Sequence, residues 1–204
     1  MSIQHKSIPE DQLHETKGAS TASTNQLHRA KGDGTTDFWT PDFTKSKQGI
    51  WDYEDTVTST TPIALTAAGT EYQLTNNGLG TNTLTTYGLP GVSIYDTATN
   101  YFDFSDLKLG DTVDIRVEYI ITTTSANNVV NLSMELGVGV TPYKLNVDQK
   151  YFKTASTNKV NANAHFYIGN ATTLNGLARF LLANDSTGSS VKVTGWFIRV
   201  LTNG

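Results

Sequence analysis

The sequence predicts an all-β protein, a jelly-roll-like antiparallel β-sandwich preceded by an extended N-terminal arm. Of the 204 residues, 37% are hydrophobic and 17% charged, and the chain holds 32 Thr, 16 Asn and 17 Gly. This composition lacks the faces of amphipathic helices and suits short strands joined by polar turns. Apolar and polar side chains alternate in several segments after residue 51, but not before it. We therefore predict an arm over residues 1–50 and a sandwich over residues 51–204.

The arm is predicted from its scattered apolar residues. Residues 1–50 carry six Lys or Arg and six Asp or Glu, together with three of the four His. Such a segment buries too little apolar surface to offset its ordering entropy, so we expect it to become ordered only against a partner. Its main apolar residues are Ile3, Ile8, Leu13, Leu27, Phe38, Trp39, Phe43 and Ile50.

The arm contains an internal repeat of the form Leu-His-x-x-Lys-Gly. One copy begins at Leu13 and the other at Leu27, 14 positions later, with small residues between them. An extended chain rises ~3.3 Å per residue, so the copies could lie up to roughly 46 Å apart. In each copy the glycine can supply a turn after a short strand, and the alternative is coincidence in a low-complexity arm. The repeated residues are Leu13, His14, Lys17 and Gly18, then Leu27, His28, Lys31 and Gly32, and the pair Phe38 and Trp39 follows as an apolar anchor.

The clearest strand of the sandwich runs from Thr112 to Thr123, where one face is apolar and the other is largely polar. A second alternating segment, Val130 to Val138, follows a short turn, and the two together predict a long antiparallel hairpin. The last strand, Val191 to Leu201, changes phase at Gly195, which predicts a β-bulge.

Shorter strands are predicted between turn signals, and no helix is predicted. The segment 97–106 could be a short strand or a loop. Roughly eight to ten strands in about 150 residues favour a jelly roll over an immunoglobulin-type sandwich. The shorter predicted strands are Gln48–Thr58, Ile63–Leu65, Glu71–Leu74, Gly91–Tyr95, Lys144–Val147, Ala164–Ile168 and Leu177–Ala183.

Charge and cysteine content exclude several function classes. A net charge of −4 argues against non-specific nucleic-acid binding. With no Cys, the chain holds no disulfide scaffold, cysteine nucleophile or Fe–S cluster. The first 20 residues lack the order of a secretory signal, and no segment approaches ~18 consecutive apolar residues, so we predict synthesis in a host cytoplasm and no membrane partner.

Catalytic and metal-binding residues are not predicted. His165 is the one His after residue 50, and a lone His between apolar neighbours is typically structural. The carboxylates fall mostly in turns or on polar strand faces, so glycoside cleavage, which needs two of them converging in a cleft, is the least favoured hypothesis. No metal or other cofactor is predicted. Aromatic residues near predicted loops are candidates for facing a ligand: Tyr101, Tyr143 and Tyr151.

The arm resembles the N-terminal segment of tailed-phage virion proteins, in which a His-x-x-Lys-Gly motif, small residues, an Ala-x-Gly-x-Gly motif and a Trp precede a β-domain. The resemblance covers about residues 8–40, and Lys31-Gly32-Asp33-Gly34 stands where Asn-Gly-x-Gly is expected. Proteins with such arms are often head fibres or capsid decoration proteins. The matching residues are His14, Lys17, Gly18, Ala19, Ala22, Ala30, Gly32, Gly34 and Trp39.

The resemblance implies a non-enzymatic structural virion protein, a head fibre or decoration protein on the capsid surface. Its partners would be the major capsid protein or another shell protein, bound through the capsid-anchoring arm, and two further copies of the chain in a homotrimer. The alternative is a tail-fibre protein that binds a host receptor or a host surface glycan. Position on the particle would decide between these two.

Overall fold

The computed structural model describes residues 47–203, together with the backbone of residues 27–30 and 36–39. By its internal contacts the chain divides into two units, Met1–Thr44 and Lys45–Gly204. The first sandwich strand begins at Gln48, three residues before the predicted boundary. Each unit is described by itself.

In the N-terminal unit, the described residues form a short antiparallel hairpin. Its strands are β1, Leu27–Ala30, and β2, Thr36–Trp39. In the register, Leu27 lies opposite Trp39 and Ala30 lies opposite Thr36. The predicted extended arm therefore reverses direction within its second half, and the second copy of the repeat begins as a strand.

The second unit is almost entirely β. Its strands are β3, Gln48–Glu54; β4, Ile63–Leu65; β5, Glu71–Gln73; β6, Tyr95–Asp96; β7, Tyr101–Asp103; β8, Thr112–Thr122; β9, Asn128–Val138; β10, Tyr143–Phe152; β11, Thr157–Tyr167; β12, Leu177–Asn184; and β13, Ser189–Leu201. Two single-turn helices, α1 (Val57–Thr60) and α2 (Ala171–Asn175), correct the prediction of a helix-free chain.

The strands form two antiparallel sheets. The front sheet has the order β11-β8-β13-β3, with β4 also paired to β13, and the back sheet has the order β10-β9-β12-β7-β6, with β5 also paired to β12. Apart from the step from β9 to β10, the long strands alternate between the sheets along the chain. This connectivity, with five strands in the front sheet and six in the back sheet, is that of a jelly roll, which confirms the predicted fold class.

The predicted hairpin of β8 and β9 is wrong. β8 pairs with β11 and β13 in the front sheet, whereas β9 pairs with β10 and β12 in the back sheet. Alternation identifies which face of a strand is buried, and both strands do bury one apolar face between the sheets. It carries no information on the neighbouring strand, and here the turn after Thr123 crosses from one sheet to the other.

The predicted bulge in β13 is present, and α1 fills the gap that it leaves. The pairing of β13 with β8 shifts register between Val193 and Gly195. Buried Thr58 of α1 donates its hydroxyl to the Val193 carbonyl at 2.9 Å and accepts from the Val193 N–H at 2.8 Å. Asp55 in turn accepts from the Thr58 N–H at 2.7 Å, which ends β3 earlier than predicted. Side-chain groups thus replace the missing ladder partner.

The core lies between the sheets and is assembled from residues 51–200. Its centre is an aromatic cluster around Trp196, whose ring centroid lies 5.5 Å from that of Phe180 and 6.1 Å from those of Tyr95 and Phe102. Trp196, Phe102 and Phe180 are each at most 1% exposed. Tilted and edge-on ring packing of this kind stabilises the sandwich beyond the area that it buries.

The two sides of the sandwich differ in how their edge strands are covered. Beside β3, Asp52 and Leu84 exchange backbone hydrogen bonds of 2.7 and 2.8 Å, and the Ile50 N–H donates to the Tyr87 carbonyl at 2.9 Å. The segment 84–87 therefore covers this edge of the front sheet. On the opposite side, β10 and β11 are the outermost strands of their sheets within residues 47–203.

Candidate functional site

The outer face of the front sheet carries the largest array of charged side chains in the sandwich. Alternation along β8 buries Val113, Ile115 and Val117 and turns Asp114 and Arg116 outward. The register then places His165 of β11 and Arg199 of β13 on either side of Asp114. A row of three titratable side chains therefore crosses the sheet.

This row is held together by Asp114. Its carboxylate shares a hydrogen bond with His165 Nδ1 and accepts from Arg199 Nε at 3.0 Å and Nη2 at 2.6 Å. Burial alone would raise the pKa of Asp114, but the hydrogen bonds from His165 and Arg199 outweigh it and hold the pKa below its ordinary value. His165, predicted to be structural, is exposed and paired.

Arg116 occupies the next row and bridges an aromatic ring and a carboxylate. Its guanidinium lies 5.1 Å from the ring centroid of Phe197, and its Nε lies 3.0 Å from a Glu118 oxygen. Lys159 reaches the other Glu118 oxygen at 3.3 Å. A cation held over a ring and paired with a carboxylate is fixed in orientation.

Three carboxylates line one depression beside Arg116: Asp52, Glu54 and Glu118. Glu54 accepts from the Asn82 N–H at 2.8 Å, and Glu118 is paired with two cations. Burial raises the pKa of Asp52, while Arg116 lowers it and the two neighbouring carboxylates raise it. The sequence predicted solvated, separate carboxylates here, so this convergence is a finding of the structure.

A second depression, of about 500 Å³, lies at the side where β10 and β11 are outermost. Tyr143 and Tyr167 both line it; Tyr143 is 41% exposed and Tyr167 68%. The Tyr143 hydroxyl is hydrogen-bonded to Thr173 of α2, and Gly169 lets the Tyr167 ring lie close, because a Cβ there would sit 2.8 Å from Tyr167 Cε2. Its apolar lining residues are Leu136, Leu145 and Phe166.

A third depression, of about 560 Å³, shares lining residues with each of the other two. It adjoins the tyrosine-lined depression at His165 and the carboxylate-lined depression along Arg116 and Phe197. We call the three together the outer groove; it runs from Tyr143 and Tyr167 at the β10–β11 side to Asp52 and Glu54 on β3.

The structure places the three candidate aromatic residues in different environments. Tyr143 lines the outer groove. Tyr151 lies near the far end of β10, is 62% exposed and donates its hydroxyl to Asn127 at 2.6 Å. Tyr101 lies in β7 of the back sheet, where Arg179 stands 5.8 Å from its ring centroid. The structure therefore does not bring the three together.

The predicted anchoring residues lie mostly outside the described residues. Leu27, His28, Phe38 and Trp39 are present as backbone in β1 and β2, where His28 lies opposite Phe38. The others, Leu13, His14, Lys17, Gly18, Lys31 and Gly32, lie outside the described residues.

Sequence reasoning missed most of the outer groove, notably Arg116, Tyr167, Phe197 and Arg199. The alternation of β8 and β13 places Arg116, Phe197 and Arg199 on outward faces, but the pairing register that brings them together was unknown. Tyr167 lies within the predicted strand Ala164–Ile168, in which only His165 was considered, as a structural residue. A signal was present in the odd-numbered positions of β11, whose side chains all face outward: Thr157, Lys159, Asn161, Asn163, His165 and Tyr167.

Two negative findings apply to the part of the chain that the structure describes. No group of three or more His, Asp or Glu there could hold a metal ion. No helix there has the length and apolarity that a membrane span requires.

Comparison with known proteins shows similarity of fold without similarity of sequence. No protein-family model and no curated protein matches the chain. The PRD1 vertex protein P5 aligns over 89% of this chain and 83% of its own, with 12% identity and a TM-score of 0.35. A chain of the infectious bursal disease virus Gt strain aligns over 86% of this chain, with 10% identity and a TM-score of 0.41.

A xylan-binding CBM22-1 domain from Paenibacillus barcinonensis Xyn10C aligns over 50% of this chain, with 12% identity and a TM-score of 0.34. The matched region spans 64% of that domain and 38% of the bursal disease virus chain, less than two thirds of either. These are distant structural similarities to the PRD1 vertex protein, to a chain of a virus structure and to a xylan-binding domain. The strand order itself defines the jelly roll.

Proposed function

We propose that this chain is a non-enzymatic structural protein of a tailed-phage virion. Residues 1–50 attach it to the capsid shell, and residues 51–204 form a jelly roll displayed on the surface, as a head fibre or decoration protein does. The observation that carries the proposal is the structural difference between the two parts of the chain. The described residues 51–200 bury an apolar core between their own two sheets, as a sandwich that folds by itself requires.

The N-terminal unit has features that suit attachment. Its described hairpin has four residues in each strand, and an isolated two-stranded ribbon of this size is marginally stable in water. Pairing with an exposed strand edge of a shell protein would add backbone hydrogen bonds and give the apolar residues Leu27, Phe38 and Trp39 a surface to bury against. The resemblance of this segment to phage virion arms agrees with that role.

Oligomerisation would strengthen the attachment. In a homotrimer three arms bind neighbouring sites on the shell, so modest anchors combine through a high effective concentration. This part of the proposal predicts a trimer in solution, which sedimentation equilibrium measures directly.

Two of the groove carboxylates are already bound to other residues of the chain, which agrees with a non-enzymatic role. Glu118 is paired with Arg116 and Lys159, and Glu54 is hydrogen-bonded to Asn82. These partners compete with the proton transfers that glycoside cleavage requires. Release of new reducing ends from a polysaccharide, abolished by Asp52→Asn, would contradict this role.

Deletion of residues 1–40 tests the attachment proposal. The truncated chain is expected to keep its cooperative unfolding transition and its oligomeric state but to fail to decorate particles that lack the protein. Particles decorated normally by the truncated chain would refute anchoring by the arm. Reconstruction of the intact particle would give position and copy number, and a place on the tail would favour the alternative of a receptor-binding fibre.

A further inference from the structure

We propose that the outer groove is a binding site for an uncharged glycan chain. This inference goes beyond the attachment role, because the described residues that line the groove all belong to the sandwich. The lining residues of the groove extend from Tyr143 and Tyr167 across the front sheet to the carboxylates of β3. Adjacent strands lie about 4.8 Å apart, so a path across four strands suits an extended polymer better than a compact small molecule.

The charges of the groove favour an uncharged ligand. Its carboxylates are Asp52, Glu54, Asp114 and Glu118, and its cations are Arg116, Lys144, Lys159 and Arg199, with His165 beside them. The four negative and four positive groups are interspersed, and most are paired within the groove. Such a lining offers an anion or a cation no net field, yet it presents many donors and acceptors to hydroxyl groups.

The polar groups are held in place before a ligand arrives. Asp114 fixes both His165 and Arg199, and Glu118 fixes both Arg116 and Lys159. A guanidinium has five N–H donors, and Arg199 uses Nε and Nη2 on Asp114, which leaves donors directed elsewhere. Because little side-chain entropy remains to be lost, binding of hydroxyl groups costs less than on a flexible surface.

The tyrosine-lined depression supplies the apolar surface that a sugar ring needs. Sugar rings have C–H faces that pack on aromatic rings, and the exposed Tyr167 ring lies over Gly169 beside the apolar side chains of Leu145 and Phe166. The Tyr143 hydroxyl is engaged by Thr173, which holds that ring in one orientation. Rigid aromatic side chains bury large areas at low entropic cost.

The test uses the full chain, a panel of soluble neutral polysaccharides (glucan, mannan and galactan) and two acidic ones (polygalacturonate and hyaluronate). Affinity electrophoresis identifies binders and calorimetry measures their dissociation constants. At least one neutral polysaccharide is expected to bind, and neither acidic one is expected to bind more tightly. Absence of neutral binders at millimolar repeat-unit concentration, or binding of the acidic ones alone, would overturn the proposal.

Two matched pairs of variants locate the site. Tyr167→Ala is expected to weaken binding at least about tenfold, whereas Tyr151→Ala, which removes a similarly exposed tyrosine outside the groove, should change it less than about twofold. Asn163→Ala should weaken binding, but Asn161→Ala, two positions away on the same outward face, should not. Equal effects within either pair would contradict the location.

The outcomes separate this proposal from the attachment role. Deletion of residues 1–40 should abolish decoration and leave glycan binding intact, while Tyr167→Ala should abolish glycan binding and leave decoration intact. Melting curves of Tyr167→Ala and Asn163→Ala should match the parent chain, since both side chains are exposed. A shift in those curves that accounts for the lost binding would overturn the assignment.

Discussion

The N-terminal unit and the sandwich differ in where their apolar side chains lie along the sequence. The sandwich places one apolar residue at every second position of its long strands, and these residues meet in a core that includes Trp196 and Phe180 at 1% exposure. Residues 1–50 have isolated apolar residues, and their described part is a hairpin of two four-residue strands. This difference indicates that the sandwich is stabilised by its own core, whereas the N-terminal unit is suited to becoming ordered when it binds a partner.

Replacing Trp196 or Trp39 by alanine should give the largest difference in unfolding free energy between the two regions. Trp196→Ala removes the centre of the aromatic cluster and should lower the free energy of unfolding by about 3–5 kcal/mol. Because the proposal assigns Trp39 to attachment, Trp39→Ala should leave that free energy within about 0.5 kcal/mol of the parent. Urea unfolding of the full chain, followed by circular dichroism, measures both. A large loss in Trp39→Ala would mean that the N-terminal unit contributes to the fold of the sandwich.

Thr58 tests how the sandwich tolerates its bulge. Thr58→Val keeps the shape but leaves the N–H and the carbonyl of Val193 without the Thr58 hydroxyl, and it should cost about 2–3 kcal/mol. Thr58→Ser retains the hydroxyl and is the control, with an expected loss of about 1 kcal/mol for the missing methyl group. If the two variants unfold at the same urea concentration, the hydroxyl does not stabilise the bulge.

The smallest predicted effects come from two carboxyls on the outer face of the front sheet. Since the pKa of Asp114 is lowered in the folded chain, its stabilising contribution is complete above the unfolded value of about 3.9 and is lost as the pH falls through the lowered pKa. Since burial raises the pKa of Asp52, its ionised carboxylate destabilises the folded chain; this effect is absent at low pH and is complete once the pH has risen through the raised pKa.

The variants Asp114→Asn and Asp52→Asn should therefore shift stability in opposite directions at pH 7. Asp114→Asn should be less stable than the parent and Asp52→Asn more stable, each by less than about 1 kcal/mol because both groups are partly exposed and screened. Both differences should shrink toward pH 3. Urea unfolding at pH 3, 5 and 7 measures them, and differences of the same sign at pH 7 would contradict the assigned environments.

The fold class and several elements could be predicted from the sequence because they rest on local patterns. Alternation located β8, β9 and β13, the phase change located the bulge at Gly195, and β4 lies at the predicted residues. The strand pairing could not be predicted, because alternation is the same whether the next strand lies beside β8 or in the opposite sheet. The end of β3 was also missed, although Asp residues often precede the first turn of a helix and accept one of its free backbone N–H groups, as Asp55 accepts that of Thr58.

Only one residue of the groove could be predicted from its position in the sequence. Tyr143 was singled out as an aromatic near a loop and does line the groove. The row of His165, Asp114 and Arg199 joins three strands that are far apart in sequence, so only the register brings it together. Sites built across a sheet are therefore hidden from sequence reasoning until the strand order is known.

Transfer of residues 1–44 to an unrelated soluble monomeric protein tests the central claim most directly. The account predicts that the fusion binds phage particles lacking this protein, that a His14→Ala, Lys17→Ala, His28→Ala, Lys31→Ala version binds much more weakly, and that the sandwich alone does not bind. Binding by residues 45–204 and none by the fusion would contradict the assignment of attachment to the N-terminal unit.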